Sequence, residues 1–559
     1  MNRATLKRFF IGWAVFLVVL LIGMQEWSAL AKPSAPVYVV TSWQRGKRIA
    51  RDVRTEPEPE MTGAPSGVDV ATEEITGEGP IVMSGVPFDV NLVPGRDGVK
   101  ATLDGKTAYA TVDDLLSVQA YDRAHIIVEQ GFGWGVNRAL VLDVLGEQLG
   151  VKGDELLARG SFRRVRFERR PWRPALARDA SRAPDARPRI EAATLTRETV
   201  RDALKEAATH LARNVDGQGR YRYLIEAATN NTLPGYNWPR HSGTTFFLAQ
   251  AAAILDDEFV RRACLRAAGR LRNEMTRLCG DHGCITEDQP VAEVGSSALA
   301  LIAFTEIVRT KADRSYRDDI ARLTAFLRSQ QRPDGELMHF YDRVKKQPID
   351  TQVLYYSGEA ALGLARAHAV REDPRDLEAA TKLLARISGA GWSFFGSRYY
   401  YSEEHWTCQA VAELWDRAPN PDALRFCSRW HEYQRRLQYD AKDTPFDADG
   451  AFGFSPLVSP RVTPAASRGE AAGALLAVLL QEKRTAEIAE VDLELRRALA
   501  FVLRHQFHPG PTYLFADPVA VRGALPGSPV DWQLRIDYAQ HAGSMMARWL
   551  ELDALQNPK

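Results

Sequence analysis

Two stretches of this 559-residue chain gather groups that could do chemistry. Tyr236-Asn-Trp-Pro-Arg240-His241-Ser-Gly243 joins a phenol, a guanidinium able to grip a carboxylate, and an imidazole base. A second stretch, with Arg535, Asp537, Tyr538 and His541, mirrors it. Carboxylates stand at Glu293, Asp350, Glu403, Glu404, Glu470 and Asp537. Asp350, Glu404 and Asp537 rank first among them because each lies beside aromatic residues: Tyr355/Tyr356, Tyr399–Tyr401 with Trp406, and Trp532/Tyr538. Aromatic faces stack on sugar rings, and a carboxyl desolvated among rings is raised toward a general acid's pKa. Two such acids ~5–5.5 Å or ~6.5–9.5 Å apart would cleave a glycosidic bond with retention or inversion. A Tyr/His/Arg set would instead remove a proton from a sugar carbon, and Tyr236, Arg240 and His241, or Tyr401 and His405, supply one. The expected catalytic residues are therefore Asp350, Glu404, Asp537 and His241. The expected substrate contacts are Tyr236, Arg240, Tyr356, Tyr401, His405, Trp406, Arg468 and His541. The same residues also have a plainer reading, because His and Ser at helix starts serve as caps and acids in a first turn offset the helix dipole.

Composition removes several alternatives. Lys and Arg (72) nearly balance Asp and Glu (71), without the basic excess that phosphate-backbone binding needs, so nucleic acid is not an expected partner. There is no G-x-S-x-G elbow, no nucleotide-binding loop and no Cys-x-x-Cys, and no cofactor is expected. Gly131-Phe-Gly-Trp-Gly135 lacks the Lys and the strand–helix setting of a phosphate cradle. Five cysteines make no disulfide framework. Cys279-Gly-Asp-His-Gly-Cys284 either closes a small disulfide loop or, with His282, begins a zinc site. No second ligand pair stands at zinc spacing, so no metal is expected.

These groups are positioned by a repeat. Segments around Gly243, Gly295, Gly358, Thr407, Gly469 and Gly543 each open with small or polar residues and continue as a helix apolar nearly all round, the mark of an internal helix. Successive repeats begin 52, 63, 49, 62 and 74 residues apart, which suits one helix pair plus a variable loop. Charge-faced helices lie between them at 257–276, 316–330, 376–387, 422–437 and 491–505, as an outer ring requires. A Gly-and-aromatic segment precedes each inner helix, and Ser329-Gln-Gln-Arg-Pro-Asp-Gly335 ends one outer helix in a Gly turn. That phrase resembles the helix-end signature of (α/α)6 toroids of the six-hairpin glycosidase, polysaccharide lyase–epimerase and terpenoid-cyclase kinds. The resemblance spans about residues 190–555 and concerns architecture; no motif pins a single family. It implies a mainly α fold with parallel inner helices, whose N-terminal ends and preceding segments converge on one mouth. Closure would bring the first and last helices together, with His241 and His541 as neighbours.

Upstream, Arg3, Lys7 and Arg8 precede an uncharged apolar run from Phe9 to Met24, and Ala29-Leu30-Ala31 matches a signal-peptidase pattern. Residues 1–31 are read as an uncleaved single-pass anchor in the inner (cytoplasmic) membrane, with the bulk of the chain on the periplasmic side. Residues 32–79, with Thr55-Glu-Pro-Glu-Pro-Glu60, read as a spacer. A small α+β domain is expected over 80–172, from strands at 99–103, 108–112 and 161–167 and helices at 112–119 and 137–149. A linker over 173–190 and the toroid over 191–555 follow. The expected function is a membrane-anchored carbohydrate-active enzyme (hydrolase, lyase or epimerase) whose partner is an envelope or exopolysaccharide glycan. The rival is a non-catalytic envelope protein whose toroid binds a glycan or a protein. A terpenoid cyclase would need an Asp-rich D-x-D-D motif, which is missing.

Overall fold

The computed structural model describes residues 29–56, 68–84, 92–121, 136–169, 173–174, 190–275, 278–286, 289–389, 405–442, 446–453, 460–508 and 512–556. The expected anchor over 1–28, the Gly131–Gly135 stretch and most of the 173–190 linker lie outside these residues. Among the described residues no helix is long and apolar enough to cross a membrane.

Twelve helices build the toroid. The outer ones are α4 (Arg197–Arg213), α6 (Glu258–Glu274), α8 (Arg317–Ser329), α10 (Pro374–Ser388), α12 (Pro421–Arg435) and α14 (Thr485–His505). The inner ones are α5 (Trp238–Leu255), α7 (Val294–Arg309), α9 (Tyr356–Arg371), α11 (His405–Leu414), α13 (Val462–Gln481) and α15 (Ile536–Gln556). Each inner helix packs on the next, and α15 packs back on α5, so the ring is closed. The labels α1 to α3 belong to the upstream domain. Every residue of α7 from Val294 to Val308 is buried, whereas α10 buries one stripe, Ala379, Ala380, Leu383, Leu384 and Ile387 among it. The difference follows the sequence: an all-apolar helix has no face for water, and an amphipathic one does.

The repeated glycines allow the inner helices to approach closely. A Cβ on Gly469 would sit 2.0 Å from Met545 Sδ, and one on Gly543 would sit 2.1 Å from the Phe247 ring. Capping sets the helix starts: Asn237 accepts from the Arg240 N–H at the head of α5, and Asp257 and Asn420 do the same for α6 and α12. The seam is sewn by backbone, with Gln533–Arg535 pairing antiparallel to Leu224–Glu226 just ahead of α15 and α5.

The upstream domain is an antiparallel sheet in the order β2-β1-β3-β6-β4-β5, to which the short strand Arg173–Pro174 adds beside β3. Its strands are β1 (Tyr38–Gln44), β2 (Lys47–Arg54), β3 (Asp69–Gly79), β4 (Asp97–Leu103), β5 (Lys106–Ala110) and β6 (Ser161–Arg169). Its helices are α1 (Val112–Ser117), α2 (Arg138–Leu149) and α3 (Gly153–Arg159). The strands and helices expected beyond residue 97 are present. The expected spacer is corrected: residues 38–79 supply three of the sheet's strands, and β3 pairs with both β1 and β6. Its polar sequence, Asp69-Val-Ala-Thr-Glu-Glu-Ile-Thr-Gly-Glu-Gly79, hid a central strand because the buried Glu73 is neutralised within the fold rather than exposed.

One apolar core joins this sheet to the toroid: Trp43, Leu115 and Val165 share it with Tyr513, Phe515 and Trp532. Polar contacts fix the docking. Tyr513 donates to Asp113 at 2.8 Å, the Trp532 N–H donates to Gln119 at 2.8 Å, and Arg169 is ion-paired with Asp113.

Candidate active site at the mouth of the ring

The N-terminal turns of the inner helices surround a cavity of about 210 Å³. It is lined by Asn237, Pro239 and Arg240 from α5, Leu299 from α7, Tyr355, Tyr356 and Glu359 at α9, and His405 and Trp406 from α11. Thr463 of α13, then Arg535, Asp537, Gln540 and His541 around α15, complete the wall. This is where parallel inner helices direct their first turns.

At one side three groups from three helices meet. Glu470 Oε2 (α13) lies 2.8 Å from His541 Nδ1 (α15) and 3.7 Å from His405 Nε2 (α11). The two imidazole rings stand 5.2 Å apart, and Trp406 packs on His405 at 4.5 Å. Burial pushes the Glu470 carboxyl above its ordinary range, partly offset by His541. His541 Nδ1 is thus held against Glu470, with the Gln540 side-chain amide 3.3 Å from the same nitrogen. These three are also the described residues spaced to hold a cation, one donor atom from each lying within 4.8 Å of the others.

A second cluster lies at the seam. Arg535 grips Asp537 with two bonds, Nε to Oδ1 at 2.5 Å and Nη2 to Oδ2 at 2.8 Å. Arg240 Nε approaches the same carboxylate at 3.4 Å, while its Nη1 donates to the Tyr223 hydroxyl at 2.7 Å. Burial raises the Asp537 carboxyl, but Arg535 and Arg240 outweigh it and hold the group below the usual carboxylate range. Across the cavity, Tyr356 donates to Glu293 at 2.9 Å, and burial together with that carboxylate raises its phenol well above normal. Glu359 is buried beside it.

Of the residues expected from sequence, Asp537, Arg240, Tyr356, His405, Trp406 and His541 line this cavity. Glu404 and Tyr401 lie outside the described residues. The remaining four stand elsewhere. Asp350 is exposed and ion-paired with Arg332 at 2.9 Å. His241 is fully buried, its Nδ1 2.7 Å from the Tyr236 hydroxyl and its Nε2 3.0 Å from the Ala267 carbonyl. A cage of Tyr221, Tyr236 and Trp238 holds its ring, so His541 meets His405 and Glu470 instead of the expected His241. Burial pushes the His241 imidazole down to about 4, which keeps it neutral. Tyr236 is taken up by that cage, with Arg220 stacked 3.9 Å over its ring. Arg468 is buried against Phe452.

Glu470 stands among the acids read from the sequence but ranks below Asp350, Glu404 and Asp537, and Glu359 is not singled out there, although the repeat marks both. Each follows the aligned glycine by one residue, and His241, Glu293, Tyr356, His405 and His541 each precede theirs, or Thr407, by two.

The cysteines settle the alternatives at 279–284. Cys279 and Cys284 form a disulfide, and so do Cys408 and Cys427, which tie α11 to α12; Cys264 is free and buried.

No family model matches the chain. No curated protein matches it either. Among solved structures it is similar to cellobiose 2-epimerase from Spirochaeta thermophila, at 12% identity and a TM-score of 0.49, over 65% of this chain and 98% of that one. It is similar to a D-mannose isomerase at 11% identity and a TM-score of 0.48, over 63% and 97% of the two chains. An unsaturated glucuronyl hydrolase specific for heparin gives 11% identity and a TM-score of 0.47, over 64% and 98%. The helix packing itself makes the C-terminal part of this chain an (α/α)6 toroid.

Proposed function

We propose that the mouth is the active site of a carbohydrate-active enzyme that moves a proton at a sugar carbon, as epimerases, isomerases and lyases do. The observation that carries this reading is the meeting of His405, His541 and buried Glu470 beside Trp406 and the Tyr355/Tyr356 pair. Hydrolysis by an acid pair fits less well. Asp537 is locked in a bidentate ion pair and held ionised, and Asp350 is away from the cavity. A buried carboxylate poised against an imidazole in a cleft is an arrangement that catalysis uses, and a passive binder has no need of it.

The enzyme is placed on the extracytoplasmic side, anchored through the apolar run Phe9–Met24. Its two disulfides support that placement, because such bonds persist in oxidising compartments. The substrate is then a glycan of the envelope or an exopolysaccharide.

The test is incubation of the purified full chain with a panel of mono-, oligo- and polysaccharides in D₂O. Proton transfer exchanges a carbon-bound hydrogen for deuterium or creates a double bond, read by NMR and by ultraviolet absorbance. His541→Ala and His405→Ala are expected to lower the rate by about 10²–10⁴-fold. New reducing ends formed without deuterium or unsaturation would mean hydrolysis and would end the proton-transfer reading.

A further inference from the structure

The seam cluster has an uneven charge. Asp537 has both oxygens engaged by Arg535, yet a second guanidinium, that of Arg240, leans on the same carboxylate. Asp537 is held ionised, so this wall carries two cations and one anion. Arg240 is the one of the two arginines with the more open side chain, 37% exposed against 27%, and it lines the cavity. Its other contact is the neutral hydroxyl of Tyr223, which orients the guanidinium without cancelling its charge. The other carboxylates around the mouth stand at other helices, Glu359 and Glu293 about Tyr356 and Glu470 against His541.

We infer that the substrate is an acidic sugar, a uronic acid unit whose carboxylate is seated on Arg240. This deepens the proposed function and rests on it. Guanidinium and carboxylate match as a two-pronged pair, which a neutral hydroxymethyl group cannot imitate.

The chemistry agrees with the rest of the mouth. In a uronic acid, the C5–H bond lies next to the carboxylate. Breaking it sends the proton to an imidazole nitrogen and the electron pair into the carboxylate system, where Arg240 balances the growing negative charge. Return of a proton to the opposite face of C5 gives the epimer. Departure of the C4 oxygen as the C4–O bond breaks gives instead a C4=C5 double bond and a new chain end, with the proton passed to the leaving oxygen. Both outcomes balance without an added oxidant or metal. His405 and His541, with rings 5.2 Å apart, supply two proton carriers on different helices.

The test uses matched oligosaccharide pairs that differ only in –COO⁻ or –CH₂OH at C6: glucuronate and glucose, galacturonate and galactose, mannuronate and mannose. Binding to the full chain is measured by calorimetry, and exchange at C5 by NMR in D₂O. The acidic member of one pair is expected to bind at least about tenfold tighter, the scale of one charge-assisted hydrogen bond. Arg240→Met should erase that preference, weakening the acidic member far more than the neutral one. Arg240→Lys should keep part of it, and Tyr223→Phe, which keeps the guanidinium's charge but removes the bond that orients it, should also keep part; melting curves on each variant establish that it is folded. Equal binding of acidic and neutral members, or an Arg240→Met variant that weakens both alike, overturns the acidic-sugar inference while the enzyme reading stands. If no member of any pair binds, both fall.

Discussion

His241 and His541 occupy the same place in their repeats, two residues before the aligned glycine, and the fold gives them opposite work. His541 faces a carboxylate and a cavity, whereas His241 is walled in by Tyr221, Tyr236 and Trp238. The burial that removes His241 from catalysis makes it a pH-dependent stability element. Its folded pKa is about 4, below the ordinary 6.5, so its contribution is complete above pH 6.5 and is lost as pH falls toward 4. On that shift the loss is worth roughly 3 kcal/mol at most. Thermal melts of the wild type and of His241→Phe should converge on acidification, and a variant with an unchanged acid limb would contradict the assignment. In the sequence the two histidines could not be separated. Repeat position marks which residues reach the first turn of an inner helix, while the aromatic neighbours that seal one of them come from a loop whose path only the fold reveals.

The elements were easier to read than the residues. Six helices apolar all round, spaced by amphipathic ones, leave few solutions other than a closed ring, and the repeated glycines mark where inner helices touch. The spacing could not show strands at Tyr38–Gln44, Lys47–Arg54 and Asp69–Gly79, because β3 places Thr and Glu where a central strand ordinarily has Val and Ile. Nor could it show that Cys408, inside an apolar helix, bonds Cys427 across to α12. That bond acts on the site. Among the described residues α11 carries His405 and Trp406, with Cys408 just beyond them. Cys408→Ala/Cys427→Ala is expected to lose about 2–4 kcal/mol of stability. Its kcat should also fall, well below its melting temperature, as His405 loses its setting. Cys279→Ala/Cys284→Ala, which opens a short loop away from the cavity, is the comparison. Turnover that is equal in the two double variants would show that the α11–α12 bond does not hold the site.

At the scale of the whole molecule, the sheet domain and the toroid share a core and a buried ionic patch. Glu73, Asp113 and Asp114 gather there with Arg169 and the Tyr513 hydroxyl. Burial, with Asp113 adding to it, pushes the Glu73 carboxyl up to about 8. A carboxyl raised on folding favours the folded state while it stays protonated. That contribution is full below the ordinary carboxylate range, declines as pH rises, and is gone above about 8. Melting temperature and resistance to proteolysis at the junction should therefore fall between about pH 4.5 and 8. Glu73→Gln should flatten the decline, and an equally steep profile in that variant would rule Glu73 out as its source.

The strand that sews the seam ties together parts of the chain far apart in sequence. Gln533–Arg535 pairs with Leu224–Glu226 across some three hundred residues, and α15 closes the ring on α5. Arg240 and Asp537, and likewise His405 and His541, are therefore brought together by the last helix of the ring. A chain clipped before Ile536 has five inner helices and lacks Asp537 from one cluster and His541 from the other. Both clusters are therefore complete only when the last inner helix has closed the ring.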